Sequence, residues 1–165
     1  MAEKLLKEII YHPIGIIHSP FKEPSQSPIQ PSAGRGSMGE VEIYPQYRDA
    51  LQDIDQFSHI ILLYHFHSSK KFSLLVKPYL DDQLRGLFAT RAPARPNAIG
   101  MSVVRLLSVE NLIISIADLD MIDRTPLLDI KPYVPEFDKD EKIKIGWLEE
   151  KIKNLPGKKG NNRLF

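Results

Sequence analysis

Cysteine is absent from this chain of 165 residues. Disulfides, a thiolate nucleophile and cysteine-ligated zinc are therefore excluded. Long hydrophobic runs are missing as well. The longest apolar stretch, Ile60 to Tyr64, has the length of one buried strand. The N-terminal MAEKLLKEIIYHPIG holds no apolar core, so neither a signal peptide nor a membrane span is expected, and the cytoplasm is the expected location. Neither sign of charge dominates: the formal net charge is +1. No global field would draw in RNA, and any nucleic-acid contact must come from local patches. No G-x-G-x-x-G follows a strand pattern and no P-loop occurs, which argues against a Rossmann-type or nucleoside-triphosphate site. A G-x-S-x-G nucleophile motif is also missing.

What is present describes one domain with a small appendage. The apolar fraction of 42% is enough for a self-supporting core at this length. Ile14 to Ile17 reads as a strand stopped by Ser19-Pro20, and the Pro/Ser/Gly-rich stretch from Phe21 to Gly39 reads as a functional or disordered loop. Alternation then predicts strands at Glu40 to Tyr44, Ser58 to His67, Leu74 to Tyr79, Leu84 to Ala89, Met101 to Val109, Leu112 to Ala117 and Leu127 to Ile130. A helical turn is expected at Tyr47 to Gln52, and a tight turn at Glu110-Asn111. So many short strands imply a mainly β fold, a barrel or sandwich. Asp138 and Glu141 have capping-box spacing, and Leu148, Ile152 and Leu155 recur at helical spacing, so a C-terminal helix ending at Pro156-Gly157 is expected.

Three clusters could carry chemistry. Leu84 to Arg105 holds Arg85, Arg91, Arg95 and Arg105 and no acid. Pro93 and Pro96 stiffen that segment, which would present Arg91 and Arg95 to a carboxylate or phosphate. The bland reading is a stiff connector with solvated arginines. Asp118 to Asp129 is opposite in sign, with Asp118, Asp120, Asp123 and Asp129 against Arg124. These acids could meet ribose hydroxyls or a cation, or form a solvated turn. His59, His65 and His67 share one strand face, but His59 stands ~20 Å from His65 at the ~3.3 Å rise of a strand. One metal shell cannot span that distance, so no metal is expected.

The segment GLFATRAPARPNAIG, Gly86 to Gly100, resembles the signature of the TrmO (YaeB/TsaA-like) family of tRNA methyltransferases. Further matches follow the same order along the chain: Ile14 to Phe21, Phe57 to Ile60, and Thr125 to Tyr133. The resemblance spans about residues 12 to 135 and implies a small β-barrel, residues 1–136, that binds S-adenosylmethionine. Residues 137–165 would be a helix and tail appended to that domain. It also implies methylation of the modified exocyclic nitrogen of threonylcarbamoyladenosine beside the tRNA anticodon, with a homodimer as the working unit. An S-adenosylmethionine-binding module, or a methyltransferase for a small molecule, is the alternative. The cofactor residues implied are Pro28, Ile29, Gln30, His67, Ser68, Arg91, Met101, Leu119, Asp120, Met121 and Ile122, with His67 as the candidate base. Arg124 stands where the family usually has glycine, so the backbone there is not expected to rely on positive φ.

Overall fold

The computed structural model describes residues 8–28, 35–137, 144–149 and 151. Among these residues eight strands form: β1 (Gly15–His18), β2 (Met38–Ile43), β3 (His59–His65), β4 (Leu75–Val76), β5 (Arg85–Gly86), β6 (Ile99–Glu110), β7 (Ile113–Ala117) and β8 (Thr125–Pro132). Six of them close into a barrel in the order β1-β2-β7-β6-β3-β8, every pairing antiparallel. The expected mainly β architecture is therefore a closed barrel, which leaves no open sheet edge.

Alternation decides what fills it. In β3, Ile60, Leu62 and Tyr64 point inward; in β6, Gly100, Ser102 and Val104 do. Ile17, Val41, Ile43, Ile114, Ile116 and Leu127 complete the interior with Leu119 and Met121. Each fully buried aliphatic side chain contributes about 1.5–3 kcal/mol. Asn111, at φ 56°, makes the tight turn between β6 and β7.

Several boundaries differ from the sequence reading. The expected strands Leu74 to Tyr79 and Leu84 to Ala89 shrink to the two-residue pair β4–β5. Pro78 lacks the N–H that a longer ladder needs. On the other side Leu87 turns inward through a 3-10 turn, Leu87–Ala89, to pack with Ala92, Val76 and Tyr79. The turn expected near Tyr47 is a 3-10 helix, Pro45–Leu51. Most of the expected C-terminal helix lies outside the described residues, and the part within them, Gly146–Leu148, is a 3-10 turn. Among the described residues, no helix is long and apolar enough to cross a membrane.

Candidate active site at the mouth of the barrel

β1, β3 and β7 end, and β2, β6 and β8 begin, at one mouth of the barrel. Residues 118–124, which join β7 to β8, lie across it. The four acids of the sequence cluster separate here. Asp118 accepts from the Gly36 amide at 2.8 Å and from Arg105 Nε at 3.0 Å. Asp123 accepts from the Ser19 amide at 3.0 Å and Lys22 Nζ at 2.7 Å. Both fasten the loop to its neighbours, and those bonds hold both carboxyls below the usual range. Asp129 pairs with Lys131 at 2.7 Å. Only Asp120 turns into the mouth, because Leu119 and Met121 on either side of it enter the core.

Asp120 heads a chain of buried polar groups. Ser102 Oγ donates to Asp120 Oδ1 at 2.6 Å and lies 2.9 Å from the Tyr64 hydroxyl. Ser102 is 2% exposed and Tyr64 3%. Burial raises the Asp120 carboxyl to about 7, against the opposing pull of the Ser102 hydrogen bond and the Arg91 charge. Burial likewise raises the Tyr64 phenol, with the Asp120 charge adding to it. Gly100 faces Tyr64 across the β3–β6 ladder, and a Cβ there would overlap the Tyr64 ring. The bare glycine is what lets the ring lie flat and reach Ser102.

The arginines separate as the acids do. Arg85 donates to Asp81 at 2.6 Å and holds that carboxyl down at about 2, and Arg105 is paired with Asp118. Arg95 Nη1 donates to the Thr90 and Ala92 carbonyls at 2.9 and 3.2 Å. It braces the loop from within, while Ala92, Pro93 and Ala94 are buried beneath it. The expectation that Arg91 and Arg95 would both be offered outward is corrected accordingly. Arg91 is exposed, and its guanidinium makes no hydrogen bond or ion pair among the described residues. Its charge nevertheless reaches both Asp120 and Tyr64.

The turn that follows β3 forms the next part of the rim. The Phe66 amide donates to the Ala98 carbonyl at 2.8 Å, and the Ser69 amide to the Phe66 carbonyl at 3.0 Å. His67 Nδ1 stands 3.4 Å from Thr125 Oγ1, and partial burial with the His65 charge lowers its pKa, so the imidazole is neutral at pH 7. Ser68 is half-buried beside it. The Ser69 hydroxyl is buried without a hydrogen-bond partner, which is costly unless something else supplies one. His59 sits at the other end of β3, bonded to Ser58 and edge-on to Tyr133. Among the described residues no group of His, Asp or Glu is placed to hold a metal ion.

A profile of the tRNA-methyltransferase O N-terminal domain matches residues 16–139. The chain belongs to the TrmO family. A probable S-adenosyl-L-methionine-binding protein of Pyrococcus abyssi is 56% identical over 157 residues, covering 95% of this chain and 85% of that protein. The tRNA (adenine(37)-N6)-methyltransferase of Escherichia coli is 38% identical over 135 residues, covering 76% of this chain and 57% of that protein. The crystal structure of TrmO from Pseudomonas aeruginosa superposes with a TM-score of 0.72 at 39% identity, covering 84% of this chain and 62% of that one. The chain thus spans little more than half the length of the Escherichia coli relative.

The remaining described residues implied by the TrmO resemblance fall at or near this mouth. Pro28 is half-buried next to Ser27, whose hydroxyl donates to the Asp120 carbonyl; Ile29 and Gln30 lie outside the described residues. Leu119 and Met121 have their side chains in the core, which leaves only their backbone for contacts. The Ile122 carbonyl accepts from Thr125 Oγ1 at 2.7 Å. Met101 is 53% exposed on the outer face of β6, one residue from the inward Ser102. Arg124 adopts φ 61°, so the expectation that arginine there avoids positive φ is wrong. The backbone turns left-handed regardless, at a cost of about 1–2 kcal/mol. Sequence reading missed Tyr64, Ser102, Ser27 and Ser69. One signal existed for Ser102: a polar residue at an inward position of an otherwise apolar strand.

Proposed function

We propose that this chain transfers a methyl group from S-adenosylmethionine to the modified exocyclic nitrogen of threonylcarbamoyladenosine, next to the anticodon of tRNA. Family membership carries the coarser statement, an S-adenosylmethionine-dependent tRNA methyltransferase. The observation that supports the site is an unpartnered Arg91 whose charge reaches the buried Asp120 at the barrel mouth. The donor set suits the cofactor: a guanidinium fork for its carboxylate, a carboxyl for its ammonium or ribose, and an orphaned Ser69 hydroxyl for a further polar atom.

When bound, S-adenosylmethionine supplies a methyl group on a positively charged sulfur. The chain's own residues have three tasks. Arg91 and Asp120 orient the cofactor's polar end, with the Pro28 to Gln30 loop, Ser68, Met101, Leu119, Met121 and Ile122 completing the cradle. A cofactor seated over the half-buried mouth would displace water from it, which favours a reaction that disperses charge. His67, held neutral, accepts the proton that the acceptor nitrogen must lose. The working unit is a homodimer.

Incubating purified protein with S-adenosylmethionine and tRNA, with and without the threonylcarbamoyl group, tests this reading by nucleoside mass spectrometry. One methyl group is expected on the modified adenosine alone. If the bound cofactor desolvates its pair with Arg91, Arg91→Ala should weaken binding by about 2–5 kcal/mol, and Arg91→Lys should recover only part of it. Cofactor binding with no methylated nucleoside would leave the binding module as the correct reading.

A further inference from the structure

We propose that Phe88, backed by Arg95, is a stacking platform for an unpaired base of the RNA substrate. The proposal rests on the tRNA methyltransferase reading and adds to it a contact outside the cofactor site. Phe88 is 77% exposed, more than any other large hydrophobic side chain among the described residues. A protein gains nothing in stability from holding a rigid aromatic ring in water, so its fixed position needs another cause.

The position is fixed. Leu87, one residue earlier, is 2% exposed and packed with Ala92, Val76 and Tyr79. The Leu87 amide donates to the Leu74 carbonyl at 2.9 Å, and both the amide and the hydroxyl of Thr90 donate back to the Leu87 carbonyl at 3.1 and 2.8 Å. Trp147 Nε1 donates to the Ala89 carbonyl at 2.8 Å and braces the same turn from another side. With Leu87 pulled in, the 3-10 geometry pushes Phe88 out.

The ring is also prepared electrostatically. The Arg95 guanidinium lies over it, 5.8 Å from the centroid, while its Nη1 is tied to two carbonyls of its own loop. Arg95 is thus held against Phe88 and keeps its full charge, since no acid pairs with it among the described residues. Of the other arginines between residues 84 and 105, Arg85 and Arg105 are neutralised by Asp81 and Asp118, and Arg91 belongs to the cofactor site. The uncompensated cation left in the segment therefore sits on the aromatic ring. An exposed aromatic face with a cation behind it suits an electron-rich base beside a phosphate backbone. A purely apolar protein partner would leave the Arg95 charge without a counterpart.

Only two residues separate Phe88 from Arg91, whose charge reaches Asp120 and Tyr64, so the platform stands close to the mouth. An enzyme that works on one base of a loop must unstack it from its neighbours, and Phe88 would receive a neighbour left without its stacking partner.

The test uses Phe88→Ala, Phe88→Leu and Phe88→Trp, measuring tRNA affinity, the KM for tRNA, cofactor affinity by calorimetry and molar mass by light scattering. Alanine and leucine should weaken tRNA binding by about 5- to 100-fold, whereas tryptophan should hold it near the parent value. Cofactor affinity and molar mass should not move. Unchanged tRNA binding in Phe88→Ala, with a parent protein that binds tRNA, overturns the platform and leaves the methyltransferase standing. A fall in molar mass would assign Phe88, with the exposed Leu74, Leu75 and Leu84, to contact between copies and also overturn it. A parent protein that neither binds nor methylates tRNA removes the functional reading, and the platform with it.

Discussion

Asp120 shows how much one side chain depends on its surroundings. An aspartate in an unfolded chain titrates near ~3.9, whereas Asp120 in the folded protein titrates at about 7. The folded state therefore binds the proton more tightly. Its contribution favours folding most below about pH 4, declines as pH rises towards 7, and is flat above that. At pH 8 the ionised, buried carboxyl opposes folding by something on the order of 2–4 kcal/mol. Asp120→Asn keeps an acceptor for Ser102 and removes the charge. Denaturation at pH 8 should show it more stable than the parent, with the gap closing towards pH 4. The same charge should help hold a cofactor of net positive charge, so cofactor affinity of the parent should rise between pH 6 and 8, while Asp120→Asn binds weakly at both. A parent affinity that is flat across that range would remove Asp120 from the cofactor's polar end.

Among the elements, β6 does most to build the site. Its twelve residues reach beyond β7, so that its first half pairs with β3 beside the mouth while its second half pairs with β7, the two ladders meeting at Arg105. Gly100 and Ser102 take consecutive inward positions, and each serves Tyr64 on β3: one leaves room for the ring, the other receives its hydroxyl. Gly100→Ala should displace a ring held on all sides and cost about 1–3 kcal/mol, as overpacking does. Urea denaturation would read that loss. Pairing Gly100→Ala with a smaller side chain at position 64 should restore much of the stability, but not cofactor affinity, because the hydroxyl that meets Ser102 would be gone. Equal stability of Gly100→Ala and the parent would show that the strand can shift and that the glycine is not needed for space. Across the mouth, Ser37 holds both the amide and carbonyl of Leu119, so the long loop is anchored at its second end as firmly as at Ser19 and Ser27.

For the molecule as a whole, a net charge of +1 leaves RNA attraction to small patches. The tail, residues 139–165, carries eight basic and four acidic residues, but Lys151 is engaged with Asp81 at 3.6 Å. A homodimer would double every patch, and we expect one by light scattering, with tRNA affinity falling at a log–log slope of about −0.7 per phosphate as salt rises. A monomer fully active at low concentration would remove the dimer. The described part of the long loop docks on Asp120 and Asp123 of its own chain, so closing the mouth does not require a partner there.

The amino-acid sequence by itself determined a mainly β fold and, through its signature segment, the family whose barrel it shares. Alternation of Ile60, Leu62 and Tyr64, or of Ile114 and Ile116, is local, and a period of two with enough apolar residues dictates strands that bury one face. The run from Gly86 to Gly100 was legible as a signature for the same reason, being contiguous. Tertiary structure alone decided which of several like residues acts. Four aspartates and four arginines look alike in sequence; three of each are spent on anchoring or bracing, and Asp120 and Arg91 remain. That selection depends on partners far away in the chain, such as Ser102 with Tyr64 and Ser27 with Asp120, 38 and 93 residues apart. Such pairs meet only once the register of six strands is set, because a hydrogen bond needs its two atoms within about 3 Å, and no local pattern encodes that distance.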